Sequence, residues 1–269
     1  MLELQLLPKL VELARQAGAV ILDIYAKGYT VSEKADHSPL TEADMASHNV
    51  IAAGLAVLSP LPLLSEESAG IDWTERQTWE RYWLVDPLDG TKEFIARNGE
   101  FTVNIALIAE GRPVLGVVYA PVLQRAYFAA AGMGAFRQDG DLAPQPIRVA
   151  DVSAGEGWRV VASRSHSSSA EQQFLGDLGD VSLVSMGSSL KFCLVAEGAA
   201  HLYPRFGLTS EWDTAAAQCV VEQAGGAVLT DVLVPLIYNS KESLLNPHFI
   251  VCNTLSEAWA AAYRAARQS

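Results

Sequence analysis

"YWLVDPLDGTKEF", Tyr82 to Phe94, sets an unbroken apolar run against two aspartates with only Pro87 and Leu88 between them. A run of this kind, bounded by Asp, Pro and Gly, reads as a buried strand that ends at a turn. "DPLDG" is a good turn sequence, because proline fixes φ and glycine accepts a left-handed conformation. A helix can open just after it, which leaves the backbone amides of Gly90 and Thr91 available to an anion.

Downstream, "FTVNIALIAEGRPVLGVVYAPVLQRAYFAAAGMGAF", from Phe101, consists of β-rich runs separated by Gly-containing turns and predicts an antiparallel meander. Upstream, Leu7, Leu10, Val11, Ala14, Gly18, Ile21, Leu22 and Tyr25 share one face of an amphipathic first helix. A second helix is expected from Thr41, the N-cap, with Asp44 three residues on and Pro60 and Pro62 marking its end. After "RQDGDLAPQPIRVADVSAGEG", read as a loop, strand-like "WRVVAS", "VSLVSM", "AHLYPR", "GAVLTD" and "FIVCN" alternate with helix-like "AEQQFLGDL", "SLKFCLVAEG", "WDTAAAQCVVEQAG" and "LSEAWAAAYRAARQ". The whole is an α/β protein whose expected parts are 1–150, helices on an antiparallel sheet, and 151–269, an α/β portion.

The 269 residues, half of them apolar, suffice for one large core or two joined ones. A formal charge of −12 argues against a general grip on nucleic acid or anionic lipid. Cys193, Cys219 and Cys252 are widely spaced in apolar surroundings, so a reducing, cytoplasmic setting is expected, and no signal peptide or membrane span is read.

Carboxylates recur at element ends. Glu66 and Glu67 in "LLSEES" follow one short apolar run, Asp86 and Asp89 follow another, and Asp213 in "SEWDTAAA" opens an expected helix. Strand ends and helix starts converge on crevices in α/β folds. Their convergence would make an oxygen-only cluster suited to a hard cation, and Mg2+ takes a few carboxylates while keeping waters and phosphate oxygens. Each residue also has a plainer reading: a turn at "DPLDG", a cap at Asp213, a solvated pair at Glu66 and Glu67, and a capping box at Asp44. The joint occurrence favours the site.

"TEAD" (41–44), "SEE" (65–67), "WLVDPLDGT" (83–91) and "WDTAAA" (212–217), in that order, resemble the signature of the Mg2+-dependent, lithium-sensitive inositol monophosphatase superfamily. Within it, "GSSLKFCLVAEG", "HLYPRFG" and "SLLNPHFIV" are similar to segments of the bacterial 3'(2'),5'-bisphosphate nucleotidases. The resemblance implies a layered αβαβα sandwich. It implies removal of the 3'-phosphate of adenosine 3',5'-bisphosphate (PAP) to give AMP and phosphate, with 3'-phosphoadenylyl sulfate (PAPS) as a further substrate and a role in sulfur assimilation. Glu66, Asp86 and the Leu88 carbonyl would hold one Mg2+, and Asp86, Asp89 and Asp213 a second; a third near Glu66 is admitted. Gly90 and Thr91 would meet the phosphate. Thr91, hydrogen-bonded to Asp44, would orient or deprotonate the attacking water, so that Asp44, Thr91 and Glu66 form the catalytic set.

The same resemblance turns His166, Ser188, Lys191 and Arg205, together with Asp213, toward the nucleotide. Surface charges at Lys191 and Arg205 and a loop residue at His166 are equally open readings. Ala217 stands where family members often have Gly. A monomer is expected, in the cytoplasm, and the family admits peripheral association with the inner membrane. Two other readings stay open: an inositol or other sugar phosphatase with the same metal core, and a non-catalytic cation-binding protein.

Overall fold

The computed structural model describes residues 2–28, 31–33, 39–152, 156–163 and 168–267. Its first part runs α1 (Leu2–Lys27), β1 (Val31–Glu33), β2 (Pro39–Thr41), α2 (Glu42–Leu58), β3 (Leu63–Ser65), α3 (Trp73–Arg76), β4 (Arg81–Asp89), α4 (Thr91–Ile95), β5 (Thr102–Ala109), β6 (Arg112–Ala120), β7 (Arg125–Ala130), β8 (Gly134–Asp139) and β9 (Gln145–Ile147). The second runs β10 (Trp158–Ser163), α5 (Ser169–Leu178), β11 (Val181–Met186), α6 (Leu190–Ala196), β12 (Leu202–Arg205), α7 (Ala215–Gln223), β13 (Ala227–Thr230), β14 (Phe249–Cys252) and α8 (Glu257–Ala266). Short 3-10 turns occupy Glu66–Ser68 and Glu211–Asp213.

The apolar run at Tyr82 has no polar face because both of its faces are covered. Along β4, Tyr82 and Leu84 point into a core shared with α6 and α7, while Trp83 and Val85 point into one shared with α1 and α2. Residues of β5, β6 and β7 alternate in the same way. These strands belong to a seven-stranded sheet, β3-β4-β5-β6-β7-β8-β9, in which β3 runs parallel to β4 and the rest form the antiparallel meander. The second sheet, β11-β10-β12-β14-β13, turns Val161, Tyr203 and Val251 toward α6 and α7. Its other face, with Val160, Leu202 and Ile250, packs on α5 and α8 through Phe174, Trp259 and Tyr263. The layers are therefore α1/α2, sheet, α6/α7, sheet and α5/α8, an αβαβα sandwich. Each large buried side chain contributes about 1.5–3 kcal/mol.

Two expectations need correction. The stretch read as a loop after Arg137 contains β9, which pairs with β8 from Ala135↔Ile147 to Arg137↔Gln145. Gln145 and Pro146 are exposed there, so this edge strand lacks the alternation by which a half-buried strand is recognised. Asp213 does not open an α-helix; it closes the 3-10 turn, and α7 starts after Thr214. Ala217 is buried and accommodated, because the close approach of α7 falls on Gly116 of β6. A Cβ at Gly116 would stand 2.2 Å from the Ala216 carbonyl oxygen.

Candidate metal and phosphate site

Asp86 and Asp89 are three apart, and a regular strand would send them to opposite faces. The pairing register removes the conflict. Asp86 faces Asn104 and Asp89 faces Thr102, so β4 carries one residue more than β5 across this interval. The bulge falls at Pro87 and Leu88, where the missing proline donor is tolerated, and it turns both aspartates into one cavity. The Leu88 N–H donates to Asp86 Oδ1 at 3.0 Å. Gly90 then takes φ 92, ψ 44 and delivers the chain to α4 at Thr91.

The cavity, about 340 Å³, is lined by Glu66, Asp86, Leu88, Asp89 and Asp213, together with Gly90 and Thr91. Ser188, Lys191 and Arg205 line it as well, with Ser188 next to Gly90. His166 lies outside the described residues. Asp86 is buried, and the lost solvent raises its carboxyl well above the usual carboxylate range. Glu66, Asp89 and Asp213 push it further, and Glu66 shares a hydrogen bond with it. Burial likewise raises Asp213, joined by repulsion from Asp89 and Glu66, while the Ser210 N–H and Arg205 work the other way. Crowded carboxyls that resist ionising are what a hard divalent cation relieves, and the donor set is all oxygen.

Among the described residues no three His, Cys, Asp or Glu side chains form a ready-made metal cage. This is compatible with Mg2+, which binds through few protein ligands and retains waters. Protein donors hold two of the carboxylates. Asp89 Oδ2 accepts the Ser189 N–H at 2.6 Å and lies 2.7 Å from Ser189 Oγ, with Thr102 Oγ1 and Asn104 Nδ2 each 3.4 Å away. Asp213 Oδ2 accepts the Ser210 N–H at 2.8 Å. One oxygen of each is fixed by protein donors, which sets the aim of the carboxylate.

Helix α2 contacts the segments that carry these residues. Asp44 Oδ2 accepts the Thr41 N–H at 2.7 Å and lies 2.6 Å from Thr41 Oγ1, so the capping box is real. Its other oxygen, Oδ1, stands 3.3 Å from Thr91 Oγ1, which also lies 3.4 Å from the Leu88 carbonyl. On the same helical face, Ser47 Oγ donates to the Pro87 carbonyl at 2.7 Å, and His48 Nδ1 is 2.9 Å from Ser65 Oγ, just before Glu66. Sequence reasoning missed Ser47, His48, Asn104 and Ser189. None stands at the end of an apolar run, and their roles arise from contacts distant in sequence.

Lys191 is buried, and burial lowers its ammonium despite the pull of Asp89; its Nζ sits 5.5 Å from the centre of the Tyr203 ring. Ser188, nearly buried, adopts φ 46, a conformation costly for a residue with a Cβ. Arg205 donates to the Leu208 carbonyl at 3.1 Å, and its buried Nε has no hydrogen-bond partner among the described residues. It also lines a second cavity of about 280 Å³ with Ser168, Glu171 and Phe206. Arg205 and Leu208 are common to both cavities.

Residues 3–268 match the inositol monophosphatase family. The chain is 52% identical over 249 residues to the 3'(2'),5'-bisphosphate nucleotidase CysQ of Escherichia coli K12, covering 91% of this chain and 99% of that protein. Among solved structures, CysQ from Bacteroides thetaiotaomicron superposes with a TM-score of 0.79 at 44% identity, over 90% of this chain and 95% of that one. The extragenic suppressor protein suhB from Bartonella henselae gives 0.78 at 26% identity, over 96% of each chain. With its five layers and its clustered carboxylates, the chain belongs to the inositol monophosphatase family, whose members are metal-dependent, generally on Mg2+.

Proposed function

We propose that this protein is a 3'(2'),5'-bisphosphate nucleotidase that hydrolyses the 3'-phosphate of PAP to give AMP and inorganic phosphate, with PAPS as a further substrate and PAP turnover in sulfur assimilation as its role. The observation that carries the reading is that one cavity is lined both by carboxylates, Glu66, Asp86, Asp89 and Asp213, and by the cations Lys191 and Arg205. A monophosphate needs only the cation-holding carboxylates. A substrate with a second phosphate also has a use for Lys191 and Arg205, and a base has a use for the space behind Arg205 lined by Phe206. Similarity to the CysQ nucleotidases supports the same substrate class.

In this reading Glu66, Asp86, the Leu88 carbonyl, Asp89 and Asp213 hold two Mg2+ ions, with a third admitted near Glu66. Because Asp213 comes from 151–269 and the other ligands from 1–150, the two parts act as one catalytic unit. Bound there, the ions would supply a low-pKa water and neutralise charge on the phosphoryl group and its leaving oxygen. Thr91 and Asp44 orient the water that attacks phosphorus and take up its proton. The Gly90 and Thr91 amides, at the start of α4, hold the phosphoryl oxygens. His166, Ser188, Lys191 and Arg205 hold the rest of the nucleotide, and Asp213 contacts the sugar. Phosphate monoester hydrolysis calls for a barrier reduction on the order of 20 kcal/mol or more, so positioning and charge neutralisation together must be large.

Phosphate release with Mg2+ from PAP, PAPS, inositol 1-phosphate and fructose 1,6-bisphosphate tests the assignment. PAP should have the highest kcat/KM, and equal or better turnover of inositol 1-phosphate would reduce the reading to a sugar phosphatase. Lys191→Ala should raise KM for PAP far more than it lowers kcat, as expected for a contact that binds ground and transition states alike.

A further inference from the structure

In the segment "SLLNPHFIV" near the end of the chain, Phe249 lines the cavity, and the residues before it lie against the turn that carries Asp213. Leu244 and Asn246 pair with that turn as a short ladder: the Glu211 N–H donates to the Leu244 carbonyl at 2.9 Å and the Asn246 N–H to the Thr209 carbonyl at 2.8 Å. The second bond holds the carbonyl of the same peptide unit whose N–H, on Ser210, donates to Asp213 Oδ2. The aim of the Asp213 carboxylate is thus set through one peptide plane, and residue 246 holds the far side of that plane.

The Asn246 side chain extends the grip. Its Nδ2 donates to the Ser210 carbonyl at 2.7 Å and lies 3.1 Å from both Thr209 Oγ1 and Thr214 Oγ1. The Ser210 carbonyl can only accept, so the group facing it is the amide NH2. From Thr214 the chain continues inward: its Oγ1 is 3.1 Å from the Tyr238 hydroxyl, which donates to Gln218 Oε1 at 2.7 Å. Asn246 is buried, so its donors are not shared with bulk solvent. Asparagine suits the place. It offers two donors in one plane at short reach, whereas aspartate offers none and serine only one. Pro247 favours extended backbone at 246, as the ladder requires.

We infer that Asn246 is a positioning residue for the metal site: it clamps both ends of the Thr209–Thr214 turn and so fixes the carboxylate of Asp213. The inference rests on the reading of Asp213 as a Mg2+ ligand. Outer partners that orient a ligand are worth about 10- to 100-fold in metal affinity.

The test is calorimetric titration of the substrate-free protein with Mg2+, alongside kcat, KM for PAP, and Tm in EDTA, for the wild type, Asn246→Ala, Asn246→Asp, Asp213→Asn and Leu10→Ala. Asn246→Ala should weaken Mg2+ binding by about 10- to 100-fold and raise the Mg2+ needed for half-maximal turnover in parallel, with little change in KM at saturating metal. Asn246→Asp, which keeps the shape, should move in the same direction even though its added negative charge would by itself favour a cation. Leu10→Ala, a truncation in α1, which contributes no residue to the cavity, should lower Tm and leave Mg2+ affinity unchanged. Unaltered Mg2+ affinity in both Asn246 variants would overturn the proposal, and so would failure of both to fold, since Asn246 would then act in stability alone. If Asp213→Asn bound Mg2+ as the wild type does, the ligand reading itself would have failed, whatever the Asn246 variants did.

Discussion

Asp44 meets two demands with two oxygens. Oδ2 closes the capping box with Thr41, and Oδ1 faces the Thr91 hydroxyl. Asparagine can keep an acceptor toward Thr41 at a cost of about 1 kcal/mol or less, but its other atom is then a donor and cannot take a proton. Asp44→Asn should therefore shift Tm little and lower kcat at least a hundredfold, within the range of about 10²- to 10⁴-fold for general base catalysis. Thr91→Val should do the same, and the double variant should be scarcely worse than either, because the pair acts as a unit. If the losses multiplied in a double-mutant cycle on kcat, Asp44 would be a cap alone. The thiols of the core are silent in this chemistry: Cys193, Cys219 and Cys252 are buried, and burial raises each thiol. At this scale the sequence was informative where a charged residue interrupted an apolar run, as at Asp86, Asp89 and Glu66. It was silent on Ser189 and Asn104, which hold Asp89 across gaps of 100 and 15 residues.

The bulge in β4 shows how an element makes a site that residue spacing alone forbids. Pro87 and Leu88 add one residue to the strand, and Gly90 turns it into α4 with a backbone shape that side chains resist. A Cβ at Gly90 would lie 3.3 Å from the Glu100 carbonyl, the Glu93 carboxylate and Ser188 Cβ. Gly90→Ala should cost about 1–2 kcal/mol in stability and displace Thr91, and misplacement by about 1 Å costs on the order of a hundredfold in rate. Gly116→Ala has the opposite balance. Its Cβ would meet the backbone of α7, which cannot rotate aside, so stability should fall by about 1–3 kcal/mol or more with a smaller loss of kcat. Thermal melts and kcat measured side by side separate the two, and equal losses of kcat would remove Gly90 from the phosphate turn. Most elements were legible because apolar runs and helical faces must be buried somewhere. The bulge was not, since "DPLDG" also spells an ordinary turn, and β9 was not, since an exposed edge strand need not alternate.

The five layers bury both sheets, and the burial that stabilises them is also what makes the acidic site unstable when it lacks a cation. The layering was legible in the sequence only as apolar runs with no polar face; which helices cover which face depends on contacts between distant segments. Asp86 and Asp213 have carboxyls raised well above the usual range, and burial raises Glu211 to about 7. In the metal-free protein these groups hold protons that the unfolded chain has already released. Stability must then fall as pH rises from the ordinary carboxylate range through neutrality, because the folded state binds more protons across that window. His201 has the opposite sign. Burial lowers its imidazole, and its Nδ1 accepts the Arg159 N–H at 3.1 Å, so its contribution is present above about pH 6.5 and declines as pH falls through the folded value. The two trends overlap in a plain pH–stability curve, but His201 is common to both metal states and cancels in a difference. With Asp86 and Asp213 as the proposed Mg2+ ligands, the ion would compete with protons for them, so Tm in Mg2+ minus Tm in EDTA should be small at pH 5 and grow toward pH 8. At 100 times the dissociation constant the ion contributes about 2.7 kcal/mol, on the order of 5–10 °C for a protein of this size. Asp213→Asn should flatten the difference curve, and His201→Gln should leave it unchanged while altering both parent curves below pH 6.5. A Mg2+ shift that stayed constant from pH 5 to pH 8 would mean that the raised carboxyls are not the groups that bind the metal.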